Sequence, residues 1–237
     1  MNRIKSLIRD FSKGELLLWF FSELFIVISF VIFDRTNYMA FSASVVGVTS
    51  LIFGAKGNPI GPFLSIIFSL LYGIISFSFK YYGEVIIYFG MTAPMSLFSL
   101  IAWLKNPYNG NKSEVRVNKI RGKEVALIIF LAVAVTVAFY FILEKFGTEN
   151  LKLSTFSVTV SFAAIYLTLR RSPYFAIVYA VNDIVLIILW TLAAIEDISY
   201  LSVIICFVVF LVNDVYGFVN WRRILARQQK NSSGFVD

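Results

Sequence analysis

The sequence contains no histidine and a single cysteine, Cys206. Histidine is the most common metal ligand in proteins and the usual proton carrier near neutral pH, so its absence argues against metal chemistry and against histidine-based catalysis. One cysteine can form neither an intramolecular disulfide nor a paired-thiol site. We therefore expect a protein that is not an enzyme and that holds no metal and no cofactor.

Several signature motifs are also missing. There is no GxxxxGK[ST] phosphate loop, which excludes a built-in ATPase of that type. Neither HExxH nor GxSxG occurs, so the sequence lacks the catalytic motifs of the proteases and hydrolases that use them. The first apolar run is too long for a signal peptide and lacks a small-residue cleavage site, so we do not expect the basic segment Met1–Lys13 to be cleaved.

Charge is scarce, and apolar residues dominate. Charged residues make up 15% of the 237 positions and hydrophobic residues 59%, whereas soluble domains carry about 25% charged residues. The hydrophobic residues form eight continuous runs, each near the ~20 residues that a helix needs to cross a bilayer. Continuous rather than alternating runs favour helices over barrel strands. We predict an all-α integral membrane protein with transmembrane helices at 15–33, 38–55, 60–79, 85–103, 124–143, 153–169, 173–194 and 199–221.

The lysine and arginine residues predict the orientation of these helices. With the N-terminus inside, 17 of the 21 lie in cytoplasmic segments, as the positive-inside rule requires. The other four lie in segments predicted to be outside the cell: Arg35, Lys80, Lys145 and Lys152. Both termini are therefore expected in the cytoplasm. The net charge of +7 follows from this topology and does not indicate nucleic-acid binding.

The two halves of the chain resemble each other around a basic loop, 106–123. Lys56-Gly57-Asn58-Pro59 is similar to Arg170-Arg171-Ser172-Pro173, and Ala102-Trp103-Leu104-Lys105 is similar to Asn220-Trp221-Arg222-Arg223. Four helices in each half give both copies the same orientation, so the repeat is predicted to be parallel. Parallel repeats with a site between them near the midplane are typical of transporters.

Two helices carry polar stripes. In the eighth run Asn213, Tyr216 and Asn220 share one face, because they are spaced i, i+3 and i+7. In the fourth run the same argument places four residues on one face, and Pro94 frees a backbone carbonyl nearby. These four are Thr92, Ser96, Ser99 and Trp103. Such stripes can line a site, although small polar residues also pack helices without binding anything.

Intramembrane carboxylates are rare and usually functional. Asp183 follows Asn182 in the seventh run, and Asp214 lies in the eighth. We expect the two carboxylates to differ in depth by roughly one to two turns, and at least one of them to contact a ligand. Tyr72, Tyr179, Trp190 and Tyr216 could stack on a flat ring or simply pack in the core. Glu23 in the first run is given no role.

The mid-chain basic loop and the motifs that end each half resemble the PnuC family of bacterial vitamin-precursor transporters. These motifs are Ala102-Trp103-Leu104-Lys105-Asn106 and the segment from Asn213 to Arg223. The resemblance implies a SWEET-like core, in which two three-helix bundles are joined by a linker helix and preceded by an extra first helix. Within one membrane domain, 1–237, it assigns 15–105 to the first half, 106–123 to a cytoplasmic loop, 124–143 to the linker, 153–223 to the second bundle and 224–237 to a cytoplasmic tail.

The resemblance also implies a function. It suggests a homotrimer in the bacterial plasma membrane that takes up nicotinamide riboside by facilitated diffusion, with trapping by cytoplasmic phosphorylation. Relatives carry thiamine, riboflavin or deoxynucleosides. One motif departs from the family pattern: Trp-Asn-x-x-Trp of the nicotinamide riboside branch reads Val181-Asn182-Asp183-Ile184-Val185 here. Both stacking rings are therefore missing unless Trp190 or Tyr179 replaces them.

Three hypotheses remain open from the sequence. The first is a passive transporter of a ring-bearing riboside. Trp190 and Tyr216 would stack on its ring, and Thr92, Ser96 and Tyr72 would lie nearby. The residues expected to hydrogen-bond to the riboside are Asn182, Asp183, Asn213, Asp214 and Asn220. The second is a proton-coupled symporter with Asp183 or Asp214 as the carrier. The third is a membrane scaffold that transports nothing.

Overall fold

The computed structural model describes residues 11–78 and 82–233. Residues 1–10 of the basic N-terminal segment, Lys80, and residues 234–237 of the predicted tail lie outside this part of the chain. The described chain forms helices α1 (Lys13–Phe33), α2 (Tyr38–Ala55) and α3 (Ile60–Ser78), then α4, which has three parts (Tyr82–Val85, the π-helical Ile86–Thr92 and Ala93–Leu104). A short hairpin of β1 (Pro107–Tyr108) and β2 (Asn111–Val115) precedes α5 (Gly122–Lys145), α6 (Leu151–Leu169), α7 (Tyr174–Ala194), a 3₁₀ turn (Ile198–Tyr200) and α8 (Leu201–Ser233).

The described residues contain eight helices that are long and apolar enough to cross a membrane. This confirms the predicted all-α class and the number of spans. The predicted ends agree to within a few residues for seven of the helices. The exception is α8, which continues beyond the predicted end at 221 as far as Ser233.

Helix α1 begins with a capping box. The Ser12 side chain accepts a hydrogen bond from the Glu15 backbone N–H, and the Glu15 carboxylate accepts one from the Ser12 backbone N–H. Together these bonds satisfy two backbone donors that would otherwise be unpaired at a helix start. Glu15 also accepts hydrogen bonds from Lys56 and Tyr216, each at 2.9 Å. The start of α1 is thus fixed against both the α2–α3 turn and α8.

The α2–α3 and α6–α7 turns are built in the same way. Gly57 and Arg171 both adopt the left-handed conformation, with φ of 67° and 56°, which terminates the preceding helix. The next residue in each turn donates its backbone N–H to a carbonyl five residues back, Asn58 to Phe53 and Ser172 to Leu167, each at 3.0 Å. A proline then opens the following helix in both places, where its missing N–H is harmless.

The helices form two three-helix groups. Helices α2, α3 and α4 pack together, as do α6, α7 and α8, and the two groups meet where α8 packs on α2 and where α4 packs on α6. Helix α1 packs on α2 and α8, and α5 packs on α6. The apolar side chains of α1 and α5 are extensively exposed, as expected of surfaces that face lipid.

The basic loop joins the two groups at one end of the molecule. Its hairpin turns at Asn109 and Gly110, both with positive φ. The Val115 N–H donates to the Gly57 carbonyl at 2.9 Å, and the Asn118 N–H donates to the Arg171 carbonyl at 3.0 Å. One loop therefore holds both matching turns.

The polar extension of α8 packs against the same loop. Gln228 accepts a hydrogen bond from the Val117 N–H and donates to the Val115 carbonyl.

Arg170 pairs with Glu124, and this hydrogen bond raises the pKa of Arg170. Burial lowers the pKa of the neighbouring Arg171. Among the described residues, the basic segments at Lys56, 105–123, Arg170-Arg171 and 222–230 thus meet at one end of the bundle.

Candidate functional site

A cavity of about 210 Å³ lies between the two three-helix groups. Its walls come from α2, α3 and α4 on one side and from α6, α7 and α8 on the other, and none of the described residues of α1 or α5 lines it. It runs from Glu84 at one end to Trp103 at the other. A cavity of this size admits a small molecule and excludes a macromolecule.

Helix α4 contributes one continuous stripe to the cavity wall. The predicted face of Thr92, Ser96, Ser99 and Trp103 lines it, and Glu84 and Tyr88 extend the same stripe toward the other end. The π-helical segment Ile86–Thr92 ends two residues before Pro94, and its wider turn is closed by the Ala93 N–H, which donates to the Tyr88 carbonyl. Single π-helical turns often occur at functional sites.

Asp183 and Asp214 both line the cavity and lie within hydrogen-bonding distance of each other. The predicted difference in depth between them is wrong. Asp183 lies nine residues after the start of α7 at Tyr174, and Asp214 lies eight before Arg222 in the antiparallel α8. These counts differ by one residue, or about 1.5 Å along a helix axis, so the carboxyl groups meet.

One oxygen of this pair is left free. Asp183 is 4% exposed, and its Oδ2 has no hydrogen-bond partner among the described residues. Next to it, Asn182 accepts a hydrogen bond from the Ser157 hydroxyl at 2.9 Å, which fixes the side-chain oxygen and leaves the amide N–H groups available. The centre of the cavity therefore offers both acceptors and donors.

The predicted polar face of α8 does not line the cavity. Asn213 donates to Ser22 Oγ at 2.8 Å, and Tyr216 donates to Glu15 at 2.9 Å, both on α1. Asn220 donates to the Ala55 carbonyl of α2 at 2.9 Å. The structure thus brings Asp214 into the cavity and directs Asn213, Tyr216 and Asn220 toward neighbouring helices.

The cavity has aromatic walls that differ from those expected. Tyr179 lines it together with Phe68, Tyr88, Phe175, Phe207 and Phe210, whereas Tyr72 and Trp190 do not. Tyr72 stands behind Phe68 and Tyr88, with ring centroids 4.7 and 5.4 Å away. Trp190 packs on Tyr200, 5.2 Å away. Neither Val181 nor Val185 lines the cavity.

Two tryptophans lie near the basic loop, and one of them, Trp103, lines the cavity. Trp103 of α4 donates its indole N–H to the Thr168 carbonyl at the end of α6, and Trp221 of α8 donates to the Gly54 carbonyl at the end of α2, each at 2.8 Å. Their ring centroids are 5.3 Å apart. Each indole therefore links one group of helices to the other, and we name this pair the tryptophan crosslink.

The cavity wall carries acidic side chains and no basic ones among the described residues. Asp183, Asp214 and Glu84 line it, whereas no Lys or Arg does so among the described residues. Sequence reasoning missed Glu84, because this residue lies one position before the predicted fourth span. Glu23, which had no predicted role, accepts hydrogen bonds from Trp19 and Thr49 and so connects α1 to α2.

Two groups of three apolar helices around a small cavity with polar side chains on its wall are the architecture of a small-molecule membrane transporter. Comparison with known proteins gives the family. The model of the family described as "Nicotinamide mononucleotide transporter" matches residues 37–223, which is most of the chain. The protein belongs to this family of membrane transporters.

Individual relatives agree with this assignment. A protein of Neisseria mucosa called "Nicotinamide riboside transporter PnuC" is 26% identical over 201 residues, covering 83% of this chain and 76% of that protein. Its namesake in Haemophilus influenzae is 20% identical over 192 residues, covering 81% of this chain and 82% of that protein. The crystal structure of a vitamin B3 transporter PnuC has the same fold, with a TM-score of 0.79 at 24% identity over 92% of this chain and 94% of that chain.

Proposed function

We propose that this protein takes up nicotinamide riboside, or a closely related vitamin precursor or nucleoside, through the cavity between its two three-helix groups. The observation that carries the proposal is the cavity between the two three-helix groups, which has Asn182, Asp183 and Asp214 on its wall, in a chain of this transporter family. Relatives named as nicotinamide riboside transporters favour that substrate over the other members of the class.

The proposed ligand contacts follow from the chemistry of the wall. A riboside offers hydroxyl groups that can bond to Asn182, Thr92 and Ser96, and a flat ring that can stack on an aromatic wall. Tyr179 and Tyr88 line the cavity and can supply that wall in the absence of the two family tryptophans. In this proposal Tyr72, Trp190, Asn213, Tyr216 and Asn220 support the site from behind.

Transport is proposed to proceed by facilitated diffusion. The sequence contains no GxxxxGK[ST] phosphate loop, so movement down the substrate gradient, followed by cytoplasmic phosphorylation, accounts for net uptake. Alternating access would arise from rocking one three-helix group against the other. Opening of the cavity at the end near the basic loop would require the tryptophan crosslink to break.

Proton symport is the second candidate, and the contact between Asp183 and Asp214 favours it. The two mechanisms differ in an imposed pH gradient. A symporter accumulates substrate above the outside level when the outside is acidic, whereas a facilitator without proton linkage does not. Uptake into proteoliposomes with acidic and neutral external buffer separates them.

We further propose a plasma-membrane location in bacteria with both termini in the cytoplasm, because the segments that carry 17 of the 21 Lys and Arg residues would then be cytoplasmic. The matching turns at Gly57 and Arg171 and the reciprocal tryptophan bonds support a parallel repeat, with α2–α4 and α6–α8 as the bundles, α5 as the linker and α1 as the extra helix. A homotrimer is proposed from the family resemblance. Native mass spectrometry in detergent tests it, and a monomeric mass would contradict it.

The function is tested by thermal stabilisation of the detergent-purified protein. Nicotinamide riboside, thiamine, riboflavin and deoxynucleosides form the panel. A ligand at 100 times its Kd stabilises the native state by about 2.7 kcal/mol, so the true substrate should raise the melting temperature. Asn182→Ala should abolish that shift.

Asn220→Ala is the matched control, since it removes an amide of the same chemistry from a position outside the cavity. It should lower the melting temperature of the free protein and keep the ligand-induced shift. A panel without any shift, or a shift that Asn182→Ala leaves intact, would contradict the proposed site.

A further inference from the structure

The Asp183–Asp214 contact has a chemical requirement. A carboxylate is an acceptor only, so two carboxyl groups can share a hydrogen bond only while one of them carries a proton. Two unprotonated carboxylates at this distance inside a membrane protein would repel each other strongly. The empty pair therefore holds at least one proton.

The surroundings supply no positive charge that could replace this proton. Among the described residues lining the cavity, α2, α3 and α6 contribute glycine, serine, threonine and apolar side chains but no charged or ionisable group. The ionisable groups that face the pair are Tyr179 on its own helix α7 and Cys206 on α8, and Glu84 and Tyr88 of α4 line the same cavity. None of these becomes a cation.

The pair also has an open ligand position. Asp183 Oδ2 is buried, lacks a partner among the described residues and belongs to a side chain on the cavity wall. An unpaired buried carboxylate oxygen is costly, and a cationic ring placed against it would remove that cost. The pyridinium ring of nicotinamide riboside is such a cation, because its ring nitrogen is quaternary.

We propose that the Asp183–Asp214 pair binds the positive charge of the transported ring and gives up its shared proton when it does so. The inference rests on the proposed function and adds to it the charge class of the substrate. Charge balances in this step. One proton leaves the pair for water as one ring cation binds, so the net charge of the site is the same before and after binding.

This exchange has a consequence for transport. The loaded and empty sites have the same net charge, so the membrane potential acts equally on both. The empty site would take up a proton on the inside and carry it to the outside. An acidic inside would therefore favour substrate uptake, whereas a symporter is favoured by an acidic outside. With equal pH on both sides the exchange behaves as facilitated diffusion.

The test is isothermal titration calorimetry of the purified protein with a matched pair of ligands. Nicotinamide riboside is a cation, and its dihydro form is a neutral molecule of nearly the same shape. Titrations in phosphate and Tris, which differ in ionisation enthalpy, count the protons released. We expect about one proton per cation bound and none for the dihydro form. The affinity for the cation should rise by up to tenfold per pH unit, because one released proton is linked to binding.

Two variants complete the test. Asp183→Asn should abolish proton release and the preference for the cation over its dihydro form. Glu23→Gln, which changes a membrane carboxyl group bound to Trp19 and Thr49 outside the cavity, should change neither. Because the proton count is made on the unaltered protein, a variant that fails to fold does not remove the test.

The outcomes separate this inference from the proposed function. Nicotinamide riboside that binds without proton release and without preference over its dihydro form would overturn the inference and leave the function standing. A different cation, such as thiamine, that binds with release of one proton while nicotinamide riboside does not bind would support the inference and overturn that substrate. Binding of neutral ligands only would overturn the inference and exclude nicotinamide riboside as the substrate.

Discussion

At the scale of single residues, Asn213 and Asp214 are neighbours in sequence with different surroundings. Successive residues on a helix are about 100° apart, so Asp214 faces the cavity while Asn213 bonds to Ser22 of α1. Helical spacing alone predicted the stripe of Asn213, Tyr216 and Asn220. It could not predict which neighbour the stripe faces, because that depends on how α1 packs.

The meeting of Asp183 and Asp214 was also beyond the sequence argument. Their relative depth depends on where each antiparallel helix starts, and an error of two residues shifts a side chain by about 3 Å. In contrast, the cavity-facing stripe of α4 was predictable, since Thr92, Ser96 and Ser99 are polar residues on one face of an otherwise apolar helix.

The first prediction concerns Tyr216. Tyr216→Phe removes the hydroxyl group that donates to the Glu15 carboxylate. A hydrogen bond to a charged group contributes about 1.5–3 kcal/mol, so the melting temperature should fall while the affinity for the transported ligand stays unchanged. Thermal unfolding and calorimetric titration of the same preparation measure both quantities.

Tyr174→Phe is the control for this change. Its hydroxyl contacts Arg222 at an exposed position, where ion contacts contribute little to stability, so its melting temperature should stay close to that of the unaltered protein. Weaker ligand binding by Tyr216→Phe at an unaltered melting temperature would place Tyr216 at the ligand instead of behind the site.

At the scale of helices and strands, the sequence predicted the eight membrane helices well because their signal is long and strong. The hairpin in the loop was missed, although Asn109-Gly110 is a favoured dipeptide for a two-residue hairpin turn. The extension of α8 to Ser233 was missed for a different reason. Its polar residues have no membrane signal, and Gln228 bonds to Val115 and Val117 of the distant basic loop.

The second prediction concerns the crossing of α2 and α3. A Cβ atom added at Gly61 would lie 2.6 Å from the Gly54 backbone nitrogen, and a backbone atom cannot move aside as a flexible side chain can. Gly61→Ala should therefore separate the two helices and destabilise the protein by about 1–3 kcal/mol. A lower melting temperature is the expected measurement.

Gly217→Ala is the matched control on the cavity-facing side of α8. A Cβ atom there would meet Ala176 and Ala55 at 3.5 Å, an ordinary contact distance. Helical alanine is also favoured over glycine by about 1 kcal/mol, so this variant should fold with no loss of stability. Equal melting temperatures for the two variants would contradict the close α2–α3 crossing.

At the scale of the whole molecule, the two similar halves were visible in the sequence as two short motifs. The turn motifs at Gly57 and Arg171 and the end motifs at Trp103 and Trp221 meet at one end of the structure, where each tryptophan bonds across to the other three-helix group. The cavity between the groups follows from this arrangement. The acidic character of the cavity was not predicted from the sequence, because Glu84 lies outside the predicted span and the two aspartates were not expected to meet.

The third prediction concerns orientation and uses the buried Cys206. In a Cys206→Ser background, single cysteines replace exposed Lys112 in the hairpin loop, Glu149 after α5, or Glu196 after α7. A maleimide that cannot cross membranes should label positions 149 and 196 in intact cells and label position 112 only after lysis. Labelling of position 112 in intact cells would reverse the proposed topology.

The most direct test of the account is uptake of radiolabelled nicotinamide riboside into liposomes that contain only this protein, at equal pH on both sides. The account predicts uptake faster than into protein-free liposomes, ending when the inside concentration equals the outside one. Asn182→Ala should reduce the rate at an unaltered protein content, and Asn220→Ala should retain it. Uptake no faster than into protein-free liposomes, with correctly folded protein present, would contradict the central claim that this cavity carries the riboside across the membrane.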